Sequence, residues 1–273
     1  MLCPPFPSLA NLLTLMGDAG QQLSEIEASE GAAGNISLCL RWQIDPAEVF
    51  PLVRKIQLPR QVPELEGATL LVSGSGRRLR EIIRDPEANV GCIQIGQDGL
   101  AADLFTSQRC RFQNVTSEFN SHLMVHYHQV INSGTNFHAI VHAQPIHLTF
   151  LSHIPSYQEE SYLNFHLLRW QPEMILNLPE GLGFMPFLVP GSTELMTSNV
   201  VWSQNHRLVI WAKHGVMARS DVSLMHAVDL VEYAETAAKY EFMNLSTGEK
   251  GSGLSREEIL AICQANHINH AIS

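Results

Sequence analysis

Hydrophobic positions along the chain recur with two different spacings, which separate helices from strands. The clearest helical stripe lies within 221–243, where apolar residues recur three and four positions apart from Leu224 to Phe242. A short apolar run bounded by turn residues, such as 68–72, is typical of a buried strand. The same reasoning predicts helices over 6–28, 117–132, 145–153, 158–168, 192–205, 221–243 and 255–265, and strands over 36–42, 68–72, 91–96, 101–105, 138–142, 173–178, 182–188, 207–212 and 216–219.

The predicted strands and helices alternate irregularly, without the strict rhythm that a parallel sheet requires. The pattern therefore predicts an α/β fold with a mixed or antiparallel sheet, in a single domain over 1–273. Residues 43–66 hold four prolines and little periodicity, which indicates a long loop or an insertion.

The net charge of the chain argues against some classes of binding partner. The chain of 273 residues has 17 basic against 27 acidic residues and a net charge of −10, and its Lys and Arg residues are not clustered. A nucleic acid or an anionic membrane surface is therefore not an expected partner. A small phosphorylated ligand remains compatible, because net charge does not report on one cavity.

The cysteines and the apolar runs indicate the cellular location that we expect for the protein. The five cysteines are scattered and form no CxxC pair, so reduced thiols in a cytoplasmic protein are the simplest interpretation. The N-terminal stretch lacks a basic leader, and no apolar run reaches the roughly 18 residues that a membrane span needs. We expect a soluble cytoplasmic protein.

Two histidines, His122 and His126, lie four residues apart on a predicted helix. This spacing can hold zinc, but the HEXXH motif requires a glutamate where this chain has Leu123. The alternative to a metal-binding role is that both histidines are ordinary core or surface residues.

A second set of metal donors falls at the ends of two apolar strands. His142 and Gln144 are two residues apart, so they share one strand face, and His214 follows another apolar strand. Converging strand ends could supply three protein ligands to a catalytic metal. The alternative is that these histidines only cap their strands.

The turn Ser73-Gly74-Ser75-Gly76 precedes a basic segment that begins at Arg77. Backbone N–H groups in such a turn can bind a phosphate, although Ser-Gly turns often have no ligand.

Glu118, after Thr116-Ser117, is either part of a helix cap or a general base near a metal. Glu173 is a second candidate carboxylate, or one partner of a salt bridge.

Taken together and in order, the motifs of this chain resemble the class II aldolase and adducin-head family. The resemblance runs from about residue 20 to residue 243. The segments that carry it are Gly34-Asn35-Ile36-Ser37, Ser73-Gly74-Ser75-Gly76, Asp85-Pro86, Thr116-Ser117-Glu118, Val141-His142, Pro179-Glu180-Gly181-Leu182-Gly183, Val189-Pro190-Gly191 and Lys213-His214-Gly215-Val216.

The resemblance implies a fold and an activity. The fold is a single α/β domain whose central, mainly antiparallel sheet has helices on both sides. The assembly is a fourfold cyclic homotetramer with active sites at the subunit interfaces. The activity is a reversible, metal-dependent retro-aldol cleavage of a ketose 1-phosphate into dihydroxyacetone phosphate and an aldehyde.

The resemblance also implies roles for individual residues. The positions that match phosphate-binding residues are Asn35, Ser75, Gly76, Thr116 and Ser117. Glu118 matches the acid/base carboxylate, and Glu173 matches a second carboxylate found in aldolases of this family. His142 and His214 match two of three histidines that bind a divalent metal, with zinc expected.

Two positions depart from the family pattern. The family has His-x-His where this chain has His142-Ala143-Gln144, so Gln144 is the expected third ligand. An amide oxygen binds zinc more weakly than imidazole does. His147 could replace it only if the backbone turns at Pro145. Ala32 stands where an aldolase of the family has an asparagine that helps bind substrate.

Two other functions fit the same resemblance. An epimerase or a decarboxylating lyase could use this fold, although Glu173 and the 179–183 stretch favour the aldolase. A non-catalytic adducin-like head with a degenerate metal site is the other alternative, and Gln144 is the feature that supports it.

Overall fold

The computed structural model describes residues 1–268. Its strands are β1 (Asn35–Leu40), β2 (Leu52–Gln57), β3 (Thr69–Ser73), β4 (Val90–Ile95), β5 (Ala101–Thr106), β6 (Phe137–Ala143), β7 (Gly183–Met185), β8 (Leu208–Trp211) and β9 (Gly215–Ser220). Its α-helices are α1 (Leu9–Glu25), α2 (Pro86–Asn89), α3 (Phe119–Ser133), α4 (Ile146–Leu151), α5 (Glu160–Leu168), α6 (Pro172–Asn177), α7 (Thr193–Trp202), α8 (Leu224–Ser246) and α9 (Arg256–Ala265).

One nine-stranded sheet, in the order β2-β5-β4-β3-β1-β6-β9-β8-β7, organises the structure. Its strand pairs are antiparallel except β7 with β8, which is parallel. The expected α/β fold with a central, mainly antiparallel sheet is therefore confirmed.

Helices cover both faces of this sheet. Alternate residues of β1 divide between the faces, because successive side chains of a strand point in opposite directions. Ile36 and Leu38 belong to the large core that contains apolar residues of α1 and α8, whereas Cys39 packs in a second core with residues of α3. A third core joins α3 and α7 to β8 and β9.

Several helix starts agree with the sequence. Ser192 caps α7 by accepting a hydrogen bond from Leu195 N at 3.1 Å. Ser255 and Glu258 form a capping box at the start of α9, which lies where the sequence predicts a helix over 255–265. The helix predicted over 221–243 begins three residues later, at Leu224, and its cap is Ser223 rather than Asp221, the residue that the sequence suggests.

Two sequence predictions were wrong. Residues 173–178 form most of helix α6 instead of a strand, because Pro172 sits at its first positions, where proline favours a helix. The segment 43–66 contains the edge strand β2, whose residues are mostly exposed and pair only with β5. An exposed edge strand has no alternation of buried and exposed residues to reveal it in the sequence.

Among residues 1–268, no helix combines the length and the apolar character that crossing a membrane would require.

Candidate metal and substrate site

A cavity of about 200 Å³ opens where β1 begins, β6 ends, α3 starts and the turn after β3 approaches. It brings together all the predicted phosphate-binding residues, Asn35, Ser75, Gly76, Thr116 and Ser117, and also Glu118, His142, Gln144 and His214. These residues come from positions far apart in the chain, so the sheet, and not local sequence, assembles the site.

Glu118, His142 and His214 form a compact group of possible metal ligands. One ligand atom from each lies within 4.8 Å of the other two. The Glu118 carboxylate is 3.6 Å from His142 Nε2 and 3.7 Å from His214 Nε2, distances too long for good direct hydrogen bonds. The three donors therefore face a common space.

The ring of His142 is fixed from two directions. Its Nδ1 lies 2.8 Å from the carbonyl oxygen of Val216, to which Nδ1–H donates, so Nε2 is the ring nitrogen left to bind a metal. The indole of Trp211 stacks on the ring at 4.4 Å between centroids. Trp211 is in turn held by Asn199 Oδ1, which accepts from Nε1 at 2.7 Å. Such outer contacts are typical of a metal-binding histidine.

Glu118 occupies the position before the first turn of α3, yet its side chain makes no capping hydrogen bond. Instead, its Oε2 accepts a hydrogen bond from Asn35 Nδ2 at 2.8 Å. Burial alone would raise the pKa of Glu118, but the nearby His142 and the Asn35 hydrogen bond outweigh it, and the net pKa lies below the ordinary value. The carboxylate is therefore held as an anion inside the cavity.

The donor set suits a divalent metal. Burial lowers the pKa of His214 below its ordinary value, which keeps the imidazole neutral and able to bind a cation. Asn35, which lines the cavity, has a buried Oδ1 with no hydrogen-bond partner among residues 1–268. An unpaired buried acceptor is costly without a ligand or water, so this atom favours a bound group beside Glu118.

His147 does not replace the missing third histidine. Its Nδ1 lies 2.6 Å from Oε1 of Glu235 on α8, and Glu235 also accepts from the backbone N of His147 and of Leu148, each at 3.0 Å. The residue beside His142 on the cavity wall is Gln144, whose backbone N donates to Ala28 O at 2.8 Å. Gln144 thus lines the same cavity as His142 and His214.

The turn after β3 and the segment before α3 together form a cradle. They are joined by hydrogen bonds from Thr116 N to Ser73 O at 3.0 Å and from Ser75 N to Asn114 O at 2.9 Å. Gly76 adopts a φ of 69°, in the left-handed region that glycine enters without strain. The cradle offers hydroxyls, an amide and backbone N–H groups, and its lining contains no Lys or Arg.

Gly74 is required by close packing in this turn. A Cβ atom at this position would lie 2.2 Å from the Phe112 ring. Any larger residue would therefore displace the ring or the turn, and with it the cradle.

Glu173 lies elsewhere. It is exposed on α6 and does not line the cavity, so this chain alone does not bring it to the other predicted residues. His122 and His126 are also outside this set: both are fully buried and hydrogen-bonded to Ser37, which places them in the core.

Trp211 and Val216 are the site-supporting residues that sequence reasoning did not single out. Trp211 lies three residues before His214, and Val216 supplies only a backbone oxygen, which no side-chain motif can indicate. A large aromatic residue beside a candidate metal histidine was the one available signal.

Comparison with known proteins agrees with this geometry. Residues 15–242 match the model of the family described as Class II Aldolase and Adducin N-terminal domain. A rhamnulose-1-phosphate aldolase of Yersinia pseudotuberculosis serotype O:1b (strain IP 31758) is 30% identical over 241 residues, which are 85% of each protein.

Solved structures give the same result. The crystal structure of a sugar-phosphate aldolase from Thermotoga maritima has 28% sequence identity and a TM-score of 0.75, covering 90% of this chain and 99% of that one. An L-fuculose-1-phosphate aldolase from Thermus thermophilus, at 20% identity and a TM-score of 0.55, shares the fold over 89% of this chain and 100% of its own. The chain belongs to the class II aldolase and adducin family, as an enzyme of the aldolase type with a divalent-metal site.

Proposed function

We propose that this enzyme cleaves rhamnulose 1-phosphate, or a closely similar ketose 1-phosphate, reversibly into dihydroxyacetone phosphate and an aldehyde. The observation that carries the proposal is the meeting of Glu118, His142 and His214 beside a phosphate-sized cradle in one cavity. The likeness to rhamnulose-1-phosphate aldolase over 85% of the chain supports this choice of sugar.

The cradle binds the phosphate of the substrate with neutral donors. The backbone N–H groups of Ser75 and Arg77 already donate hydrogen bonds, to Asn114 O and to Gly74 O. The N–H of Gly76 is therefore left for the ligand. The hydroxyl of Thr116 accepts from Glu118 N at 3.3 Å, so its own hydrogen is free to donate. Anchoring the phosphate fixes the reacting carbons relative to Glu118, which lowers the entropic part of the barrier.

His142, His214 and Gln144 hold the metal in our proposal, and zinc suits two imidazole nitrogens. The metal supplies Lewis-acid stabilisation of the negative charge that remains on dihydroxyacetone phosphate when the C3–C4 bond breaks. Trp211 and the Val216 carbonyl keep His142 in the orientation that this role needs.

Glu118 moves the proton. Asn35 holds its Oε2, which leaves Oε1 to take the proton of the C4 hydroxyl as the C3–C4 bond breaks and the aldehyde forms. The same carboxyl then gives this proton to the carbon that keeps the electrons of the broken bond, which completes dihydroxyacetone phosphate. In the synthetic direction both proton transfers run in reverse. The pKa of Glu118 lies below its ordinary value, so the anion needed for cleavage is present at neutral pH.

We further propose a homotetramer with Glu173 acting from a neighbouring subunit. Glu173 lies away from the cavity, and exposed apolar side chains, including Phe165 on α5 and Leu176 on α6, lie near it in the sequence. Large exposed apolar residues favour burial in an assembly. Light scattering should give four times the mass of one chain, and the mass of a monomer would contradict the proposal.

We also assign the enzyme to the cytoplasm, where small phosphorylated sugars are metabolised. Its five cysteines are free thiols, and Cys39 and Cys92 are buried, as suits a reducing compartment.

The decisive experiment is to purify the protein without chelator, quantify bound metal, and measure dihydroxyacetone phosphate release from rhamnulose 1-phosphate and fuculose 1-phosphate. We expect a bound divalent metal and faster release from rhamnulose 1-phosphate. Removing the metal with a chelator should abolish release, and adding it back should restore it. Absence of release from both sugars with metal present would contradict the proposal.

The same measurement tests the second candidate, a non-catalytic adducin-like head. The substitution of the expected histidine by Gln144 favours this alternative, because it weakens the metal site. A protein that binds no metal and releases no product would establish it.

Gln144→His should strengthen metal binding. An imidazole next to His142 and His214 restores three nitrogen ligands, and we expect about a tenfold lower dissociation constant for zinc. Competition with a chromophoric chelator measures this constant. Gln144→Asn, which keeps an amide, is the matched control and should not strengthen binding. Unchanged zinc affinity in Gln144→His would exclude residue 144 from the metal site.

A further inference from the structure

A row of polar side chains lies buried between α3 and the centre of the sheet. Ser37 of β1, His122 and His126 of α3, and His138 of β6 are all fully buried. Ser37 Oγ is 2.6 Å from His122 Nδ1 and 2.7 Å from His126 Nε2, and His126 Nδ1 is 2.8 Å from His138 Nδ1. The four side chains thus form one continuous hydrogen-bond chain inside the protein.

The three imidazoles of this chain are neutral. Burial lowers the pKa of His122 and of His138 to about 3, and it lowers the pKa of His126 well below its ordinary value. A neutral imidazole carries one N–H and one lone pair, and a serine hydroxyl donates one hydrogen bond. If Ser37 accepted both of its hydrogen bonds, its own hydrogen would be buried without an acceptor among residues 1–268. With Ser37 donating one bond and accepting the other, all the hydrogen bonds in the chain point in the same sense.

Two arrangements keep the hydrogen of Ser37 within the chain. In one, His138 Nδ1–H donates to His126, His126 Nε2–H donates to Ser37, Ser37 donates to His122, and the proton of His122 is on Nε2. In the other, all donors are reversed, and the free N–H is on His138 Nε2. Both terminal atoms, His122 Nε2 and His138 Nε2, are buried without a hydrogen-bond partner among residues 1–268.

Charges at the two ends favour the first arrangement. His122 lies one helical turn after Glu118, its backbone N donating to Glu118 O at 3.2 Å, and Glu118 and His122 act on each other electrostatically. The negative charge of Glu118 therefore favours the arrangement in which His122 Nε2 carries the hydrogen. At the other end, Arg219 shares a sheet face with His138, because it pairs with Ile140, and its charge opposes a positive group there. The positive charge of Arg219 therefore favours the arrangement in which His138 Nε2 carries a lone pair instead of a hydrogen.

We propose that Ser37, His122, His126 and His138 form a directional hydrogen-bond chain, aligned between Arg219 and Glu118, that presents His122 Nε2–H towards Glu118. The chain ends at a buried atom, so it has no exit to water and does not deliver protons. Its members are positioning residues: they hold the first turn of α3, and hence Glu118, in the orientation for proton transfer. Their effect on catalysis rests on the proposed aldolase function.

The tautomers of the three histidines test the direction without any substrate. Two-bond ¹H–¹⁵N correlation spectra of histidine-labelled protein distinguish Nδ1–H from Nε2–H. We expect His122 and His126 as Nε2–H and His138 as Nδ1–H at neutral pH, with assignments from single substitutions. The opposite tautomer at any of the three positions would overturn the proposed direction.

Kinetics of Ser37→Ala test the positioning role. This change removes the central hydroxyl, and we expect kcat to fall about tenfold while KM changes less than about twofold, because Ser37 lies outside the phosphate cradle. Ser37→Cys keeps the shape of the side chain but bonds weakly, so it should show the same loss even if the alanine variant folds poorly. An unchanged kcat in a folded variant would overturn the positioning role.

Ser220→Ala is the matched control. It removes a partly buried serine–histidine hydrogen bond, to His226 Nδ1 at 2.8 Å, that is separate from the chain. We expect wild-type kcat and KM. If the wild-type protein proves to have no aldolase activity, the proposed function fails, and the tautomer spectra still decide the direction of the chain.

Discussion

Replacing Glu118 by glutamine should lower kcat for dihydroxyacetone phosphate release by about 1000-fold, the order of magnitude expected when a general base is lost. Glutamine has nearly the same shape, and its amide oxygen can still accept the hydrogen bond from Asn35 Nδ2. It cannot take the proton of the C4 hydroxyl, however. Steady-state rates with saturating substrate and added metal measure the loss.

Two controls define what such a loss means. Glu232→Gln changes a carboxylate of α8 that accepts a hydrogen bond from Gln22 outside the cavity, and it should leave kcat unchanged. Metal content of Glu118→Gln separates two roles, since Glu118 also lies within the group of metal donors. Lost activity with retained metal supports proton transfer, whereas full activity would remove Glu118 from the mechanism.

The sequence predicted most of the site because each motif lies at the end of a strongly patterned element. His142 follows the apolar run of the fully buried strand β6, and Glu118 precedes α3, so their places were fixed once these elements were recognised. Spacing alone could not show that they meet. The pairing of Asn35 with His142 across β1 and β6 is what brings the cradle and the metal donors together.

Other features were beyond sequence reasoning for physical reasons. The apolar run Met174-Ile175 can face a core from either a helix or a strand, and Pro172 decided for the helix. The role that we propose for Glu173 depends on the interface between two subunits, which the structure of a single chain does not contain. The contact of His142 with Trp211 depends on two strands that are neighbours of β9, and no local pattern encodes that neighbourhood.

The buried histidines have a second consequence, which concerns stability in acid. In the unfolded chain their pKa values return to about 6.5, whereas burial holds His122 and His138 at about 3 and lowers the pKa of His126 well below its ordinary value. Between these values the unfolded state binds more protons than the folded state. Stability is therefore unaffected by these groups above about pH 6.5 and is lost progressively as the pH falls below it.

We expect His122 and His138 each to lower the free energy of unfolding by about 2 to 3 kcal/mol between pH 6.5 and pH 4.5, and His126 to add a loss of the same sign. Together this is comparable to the total stability of many proteins, roughly 5–15 kcal/mol, so the protein should unfold well above pH 3. Urea denaturation at a series of pH values gives the slope of stability against pH. His138→Asn should reduce this slope by up to about 1.4 kcal/mol per pH unit, because one group that takes up a proton only on unfolding is gone.

The slope is compared rather than the stability at one pH, since any cavity created by the His138→Asn substitution lowers stability equally at every pH. His153→Asn, at an exposed position, is the control and should leave the slope unchanged. If His138→Asn also leaves it unchanged, His138 does not stay neutral in the folded protein. The hydrogen-bond chain that ends at His138 then loses its physical basis, because a charged imidazole would donate from both nitrogens and remove the single direction.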